Sequence, residues 1–215
     1  GGGADEAGVQ AHLEGRAESR REALVEDLGS IPPVLLEMET AYWTGFDVPE
    51  LTWHATALKG SGNVVCYRFP PEGGALTLLV SGQDRAGLFA DLAGTLANLG
   101  ANVVSAQVFT NRSGRIVDIF MVQDAAQKPF GQKDETRLRR LETALAETLD
   151  GASVKDLATS RTGRRQAAFL VQPSAQIRND VSTEYTVVDI AGQDRPGLLY
   201  DVASVLADSG LSIHS

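Results

Sequence analysis

Cysteine is nearly absent: Cys66 is the one such residue in 215. That excludes an internal disulfide and any cysteine-cluster metal site, and Cys66 reads as a small buried hydrophobe in a strand. Histidine is scarce too, with His12, His54 and His214 far apart in the chain. His54 has no second His or Cys near it and is expected at the surface or half-buried, not as a metal ligand. Positive charge is in deficit, with 19 Lys and Arg against 28 Asp and Glu and a net charge of −9. A nucleic-acid or anionic-membrane surface would show a basic stripe, so this balance argues against both. No apolar run approaches the length of a membrane span and no signal peptide is visible, so a cytoplasmic location is expected. No Walker loop appears, and Gly60-Ser61-Gly62 reads as a turn. The chain opens without Met and stops at Ser215 inside an apolar-polar alternation, and is expected to be a fragment of something longer.

What is present is a repeat. Gly82-Gln83-Asp84-Arg85-Ala86-Gly87-Leu88 recurs 110 positions later as Gly192-Gln193-Asp194-Arg195-Pro196-Gly197-Leu198. Asp91, Ala93, Leu96, Ala97, Gly100 and Ser105 recur at the same offset as Asp201, Ala203, Leu206, Ala207, Gly210 and Ser215. Ungapped similarity of this length indicates a duplicated unit. In each copy an apolar strand runs into the motif and an amphipathic helix leaves it. Asp84 and Asp194 are expected to cap those helices by accepting first-turn amide hydrogens, with Pro196 in the first turn of the second. Gly87 and Gly197 would let the backbone approach a strand or a ligand closely. Free N–H groups at a helix start suit a carboxylate. The bland alternative is an ordinary capped strand-to-helix turn.

The remaining pattern supplies the frame. Val9 to Leu28 is helical, with a thin stripe of Leu13, Ala17, Ala23, Leu24 and Leu28. Val34 to Tyr42 and Leu51 to Leu58 read as further helices. Strands are expected at Val64 to Phe69, Ala75 to Ser81, Asn102 to Thr110, Ile116 to Gln123 and Ala167 to Val171. On the third of these, Val104, Ala106 and Val108 should share a face. Asn111-Arg112-Ser113-Gly114 is a hairpin turn. Leu88, Leu92, Leu96 and Leu99 mark one helix, stopped at Gly100; Leu138, Leu141, Leu145 and Leu149 mark another, from Asp134 to Leu149. The order from Ala75 to about Gln172 is β-α-β-β-α-β, the split βαβ motif. Two helices should cover one sheet face and leave the other free to pair. The fold class is α+β: tandem ferredoxin-like units, the second truncated, preceded by a helical segment. The second unit, with two strands of its own for Leu199, Val202, Val205 and Leu206, is expected to be poorly ordered alone.

The strand, the D-R-A-G-L or D-R-P-G-L turn, and the helix ending in Gly100-Ala101-Asn102-Val103 together resemble the ACT domain, a small amino-acid-binding module. Ala41 to Asp47, Ile116 to Asp124, Arg195 to Asp201 and Ile213-His214-Ser215 are similar to the C-terminal region of the bifunctional PII uridylyltransferase/uridylyl-removing enzyme family. The resemblance implies this division: 1–62 a helical tail after an absent HD domain, 63–172 a first ACT domain with its leading strand, 173–184 a linker, 185–215 the start of a second. It implies glutamine as the effector, PII as the partner of the whole enzyme, pairing between ACT domains, and a role in regulating nitrogen metabolism. It places an effector at Asp84, Arg85, Ala86 and Gly87 with Asn102 beside them, and at Asp194, Arg195, Pro196 and Gly197, where Ser212 stands in place of the Asn. Mg and UTP would belong to the absent catalytic domain, so no cofactor is expected here. Neither Gly29-Ser30 nor Gly60-Ser61 is followed by paired aspartates, and no His precedes an Asp, so no catalytic residue is expected either. Two alternatives stay open: a tandem ACT module of another regulator or biosynthetic enzyme, and a purely structural dimerisation module.

Overall fold

The computed structural model describes residues 2–152, 174–178, 187–191 and Ala203. The first 62 residues are helical: α1 (Gly2–Leu28), α2 (Pro33–Leu36), α3 (Thr40–Thr44) and α4 (Val48–Ala57). The segment expected as one helix from Val34 to Tyr42 is therefore two short ones. α4 starts on a capping box, in which Asp47 accepts from the Glu50 amide at 2.9 Å and Glu50 accepts from the Asp47 amide at 2.8 Å.

β1 (Val64–Arg68), β2 (Leu76–Gln83), α5 (Leu88–Asn98), β3 (Asn102–Thr110), β4 (Arg115–Gln123) and α6 (Glu135–Leu149) follow. The four strands form one antiparallel sheet in the order β1-β2-β4-β3. The edge beside β2, expected from Ala167 to Val171, is taken by β1 from the front of the chain; 167–171 lies outside the described residues. Gly100, at φ +74°, ends α5: the Ala101 amide bonds the Leu96 carbonyl and the Gly100 amide that of Ala97, both at 3.0 Å. β3 departs from strict alternation. Its register shifts between Val103 and Ser105, so Val104 is extruded and 38% exposed, while Val103 and Ala106 face the core. Val104 thus does not share a face with Ala106.

Both sheet faces are covered. On one, Leu88, Leu92 and Leu96 of α5 and Leu138, Leu141, Leu145 and Leu149 of α6 bury Leu76, Leu78, Val80, Ile116, Phe120 and Val122. On the other, which was expected to be free, Ala17, Leu24, Leu35, Met38, Tyr42, Trp43, Phe46, Leu51 and Leu58 bury Leu79, Val117 and Ile119. β4 is apolar in both phases, with Ile116, Phe120 and Val122 against Val117, Ile119 and Met121, and Leu79 of β2 joins the second set, so each phase needs a cover. The helical segment supplies the second one and makes three layers.

β5 (Ser174–Arg178) and β6 (Val187–Ala191) pair antiparallel as a separate two-stranded sheet. Residues 174–178 fall in the stretch expected as linker. Their register copies the first unit: Val64 opposite Ser81 becomes, 110 residues on, Ser174 opposite Ala191. The second unit therefore begins with its own leading strand. The rest of it, including the expectation about its order, lies outside the described residues. No described helix is long and apolar enough to cross a membrane.

Candidate functional site

The Asp84–Gly87 loop joins the end of β2 to the start of α5. Its first residue is fixed to the β3–β4 turn, since the Asp84 amide donates to the Gly114 carbonyl at 2.8 Å. The Asp84 side chain does not cap α5. It accepts from the amide of Arg85 at 2.9 Å, one residue along, too early in the chain to reach the first helical turn. The N-cap is Gly87, and no side chain caps the helix. Gly87 has φ +78°, which strains any residue with a side chain, yet a Cβ there would meet nothing within 4 Å. The close approach expected at Gly87 is not made by the chain itself, and space stands open over the helix start.

Arg85 turns inward. It donates to Asp91 at 2.8 Å, to the Thr148 carbonyl at 3.0 Å and to the Ala152 carbonyl at 3.4 Å. The guanidinium thus sits at the C-terminal end of α6, where the helix dipole favours a cation. Thr95 and Thr148 add a 2.7 Å hydroxyl contact between the two helices. Arg85 braces α5 against α6, and Ala86 is the exposed member of the loop.

Sequence reasoning missed Asp118. It lies opposite Val80 on β2 and Val108 on β3, is 3% exposed, and accepts from the Phe109 amide at 3.3 Å. Burial pushes its carboxyl well above the usual range; the Phe109 amide opposes this and the charge of Asp84 adds to it. No described cation is ion-paired with Asp84 or Asp118. The signal was an acidic residue in the inward phase of an apolar strand, between Ile116 and Phe120.

Asn102 is not beside the loop. It pairs with Gln123, at the end of the sheet where β2 begins, whereas the loop follows Gln83, which pairs with Arg115 at the other end. β3 runs parallel to β2, so its first residue lies a strand length away. Asp194, Arg195, Pro196, Gly197 and Ser212 lie outside the described residues. No group of three or more His, Cys, Asp or Glu among the described residues could hold a metal ion.

Residues 76–129, which include the loop and Asp118, match the ACT domain family. Over 97% of its length the chain is 42% identical to a bifunctional uridylyltransferase/uridylyl-removing enzyme of Caulobacter vibrioides and 37% identical to one of Phenylobacterium zucineum. Over 81% it is 38% identical to that of Gluconobacter oxydans. It spans 23% of the length of the first two relatives and 19% of the third. No solved structure matches.

Proposed function

This chain carries an ACT domain and matches a region of bifunctional uridylyltransferase/uridylyl-removing enzymes along nearly all its length, and from that premise we propose that it is the glutamine-sensing, C-terminal regulatory region of such an enzyme, acting in the cytoplasm on the modification of PII. The observation that carries the site is the open start of α5. Gly87 holds a left-handed conformation and leaves the space above it unfilled, and no side chain caps the helix. An α-carboxylate on those first-turn amides would complete the cap. The α-ammonium would answer the charge of Asp84. Arg85 holds the loop in shape, and Ala86 lines its outer side. Asn102 would reach a ligand only across a junction between ACT units, with the Asp194, Arg195, Pro196 and Gly197 loop forming the matching site of the second copy.

A sensor of an abundant metabolite needs only about −4 to −6 kcal/mol. Two or three charge-assisted hydrogen bonds, each worth roughly 1.5–3 kcal/mol, suffice. Calorimetry with glutamine on the full-length enzyme is the test, wild type against Gly87→Val and Asn102→Ala. Gly87→Val is expected to weaken binding at least tenfold, and Asn102→Ala to weaken it by about one hydrogen bond, 0.5–1.5 kcal/mol. Unaltered affinity in a folded Gly87→Val protein would place the site elsewhere. The structural alternative predicts no heat of binding at all.

A further inference from the structure

Resting on the reading of the Asp84–Gly87 loop as the effector site, we propose that the β3–β4 hairpin is the relay that carries the state of that loop to the helical layer on the opposite face of the sheet. The hairpin turn touches both. On the loop side, the Gly114 carbonyl accepts from the Asp84 amide at 2.8 Å. Gly114 has φ +80°, a conformation that strains any residue with a side chain. On the helical side, Asn111 Nδ2 donates to the Val34 carbonyl at 3.0 Å. The Arg112 amide donates to the Glu37 carbonyl at 3.3 Å, and the Ser113 amide to the Glu37 carboxylate at 3.1 Å. Arg112 also pairs with Glu39 at 3.1 Å, but that pair is exposed and adds little.

Asn111 makes the turn a rigid body. Its Oδ1 accepts from the Arg115 amide at 2.8 Å and from the Ser113 amide and hydroxyl at 3.1 Å, while its Nδ2 reaches the helical layer. One buried side chain therefore holds the turn together and fastens it to Val34. A displacement of Asp84 moves Gly114, and a rigid turn passes that movement to Val34 and Glu37.

The receiving elements suit the task. α2 has four residues and α3 has five, too few for stability on their own. Their placement depends on their partners, and α3 carries Tyr42 and Trp43 into the core of that layer. α4 has its own capping box and does not share this dependence. A ligand that favours one loop position would shift α2 and α3 by its difference in affinity for the two positions.

Backbone amide exchange decides the matter, measured on residues 33–44, 111–115 and 48–57 of the complete chain, with and without glutamine. The proteins are the wild type, Gly87→Val, and Gly87→Val combined with Asn111→Asp or with Glu37→Ala. Without ligand, Gly87→Val strains the loop and is expected to speed exchange several-fold in 111–115 and in 33–44, leaving 48–57 unchanged. Adding Asn111→Asp keeps the acceptor oxygen of the turn and removes only the donation to Val34. The response of 111–115 should persist and that of 33–44 should weaken, since the two bonds to Glu37 remain. Glu37→Ala removes a second bond of the junction, the one from the Ser113 amide, from a half-buried position, should likewise weaken the response of 33–44, and serves where a buried charge at 111 prevents folding. Unchanged exchange in 33–44, or equal acceleration in all three segments, overturns the relay. Glutamine tests the site separately: no exchange change and no heat of binding refutes the effector reading, while the ligand-free comparison still decides the relay.

Discussion

His54 and Asp118 titrate with opposite signs. His54 is 1% exposed, and its Nδ1 lies 2.8 Å from the Tyr42 hydroxyl among Phe46, Trp53 and Tyr42. The surface or half-buried position expected for it is wrong, because the apolar cover over the second sheet face recruits it. Burial first, and Arg68 second, pull its pKa from 6.5 down to about 3, with Asp47 opposing. The folded state keeps the imidazole neutral while the unfolded state takes up a proton below 6.5. Stability is therefore full above pH 6.5 and falls on acidification toward pH 3, by up to about 1.4 kcal/mol per pH unit. Urea unfolding at pH 7.5, 6 and 5 should show this slope, and His54→Leu should flatten it. Asp118 is raised instead, so its folded form holds a proton that the unfolded form has lost, and its contribution fades as pH rises through the folded value. Asp118→Asn keeps the acceptor for the Phe109 amide without the charge. It is expected to raise the urea midpoint at pH 7.5, since it removes the penalty for burying an ionisable carboxyl.

At the scale of elements, the Arg85–Asp91 pair is the testable brace. The Asp91 carboxylate is 6% exposed and Arg85 is 32% exposed. Arg85→Leu leaves that carboxylate without its guanidinium and is expected to cost about 3 kcal/mol or more. Arg85→Leu combined with Asp91→Leu should cost less than Arg85→Leu alone, as chemical denaturation of the two variants would show. If the double variant is the weaker, the pair itself contributes the stability. Helices and strands were legible here because their periods were plain: Leu138, Leu141, Leu145 and Leu149 identify α6, and Gly100 marks its predecessor's end. The loop was half legible. Its place between β2 and α5 was right, but Asp84 was read as a cap because an Asp before a helix usually is one, and the actual N-cap is Gly87, three residues on. The bulge at Val104 was invisible, because Val103 and Val104 are identical neighbours and the sequence does not say which of them faces the core. Asn102 was misplaced although the expected topology had the answer: a parallel β-α-β crossover starts its second strand at the end of the sheet where the first begins, away from the loop.

For the whole molecule, the second helical layer has a direct consequence. Removing residues 1–62 would bare Leu79, Val117 and Ile119 beside the already exposed Met121. An uncovered apolar face of that kind associates. The shortened chain is expected to sediment as dimers or larger species where the complete chain does not, and equal sedimentation would show that the layer is dispensable. Among the described residues the strand edges, β3 on one side and β1 on the other, stay open, and this face does not. Legibility failed here for a simple reason: α1 has few apolar positions, and a thin stripe gives no hint of what it covers.

The strand that closes the sheet beside β2 comes first in the chain, and this bears on how the protein is made. By Gln123 a ribosome has delivered all four strands, and by Leu149 both covering helices. Among the described residues the sheet of the first unit is made of these four strands. The stretch from Asp150 to Pro173 then takes roughly one to five seconds at about 5–20 residues per second. Small mixed domains fold in about milliseconds. The nascent first copy therefore has time to close before Ser174, the leading strand of its sibling, emerges from the ribosome. Tandem copies that emerge unfolded together can exchange strands; here the order of synthesis keeps each copy's strands for itself.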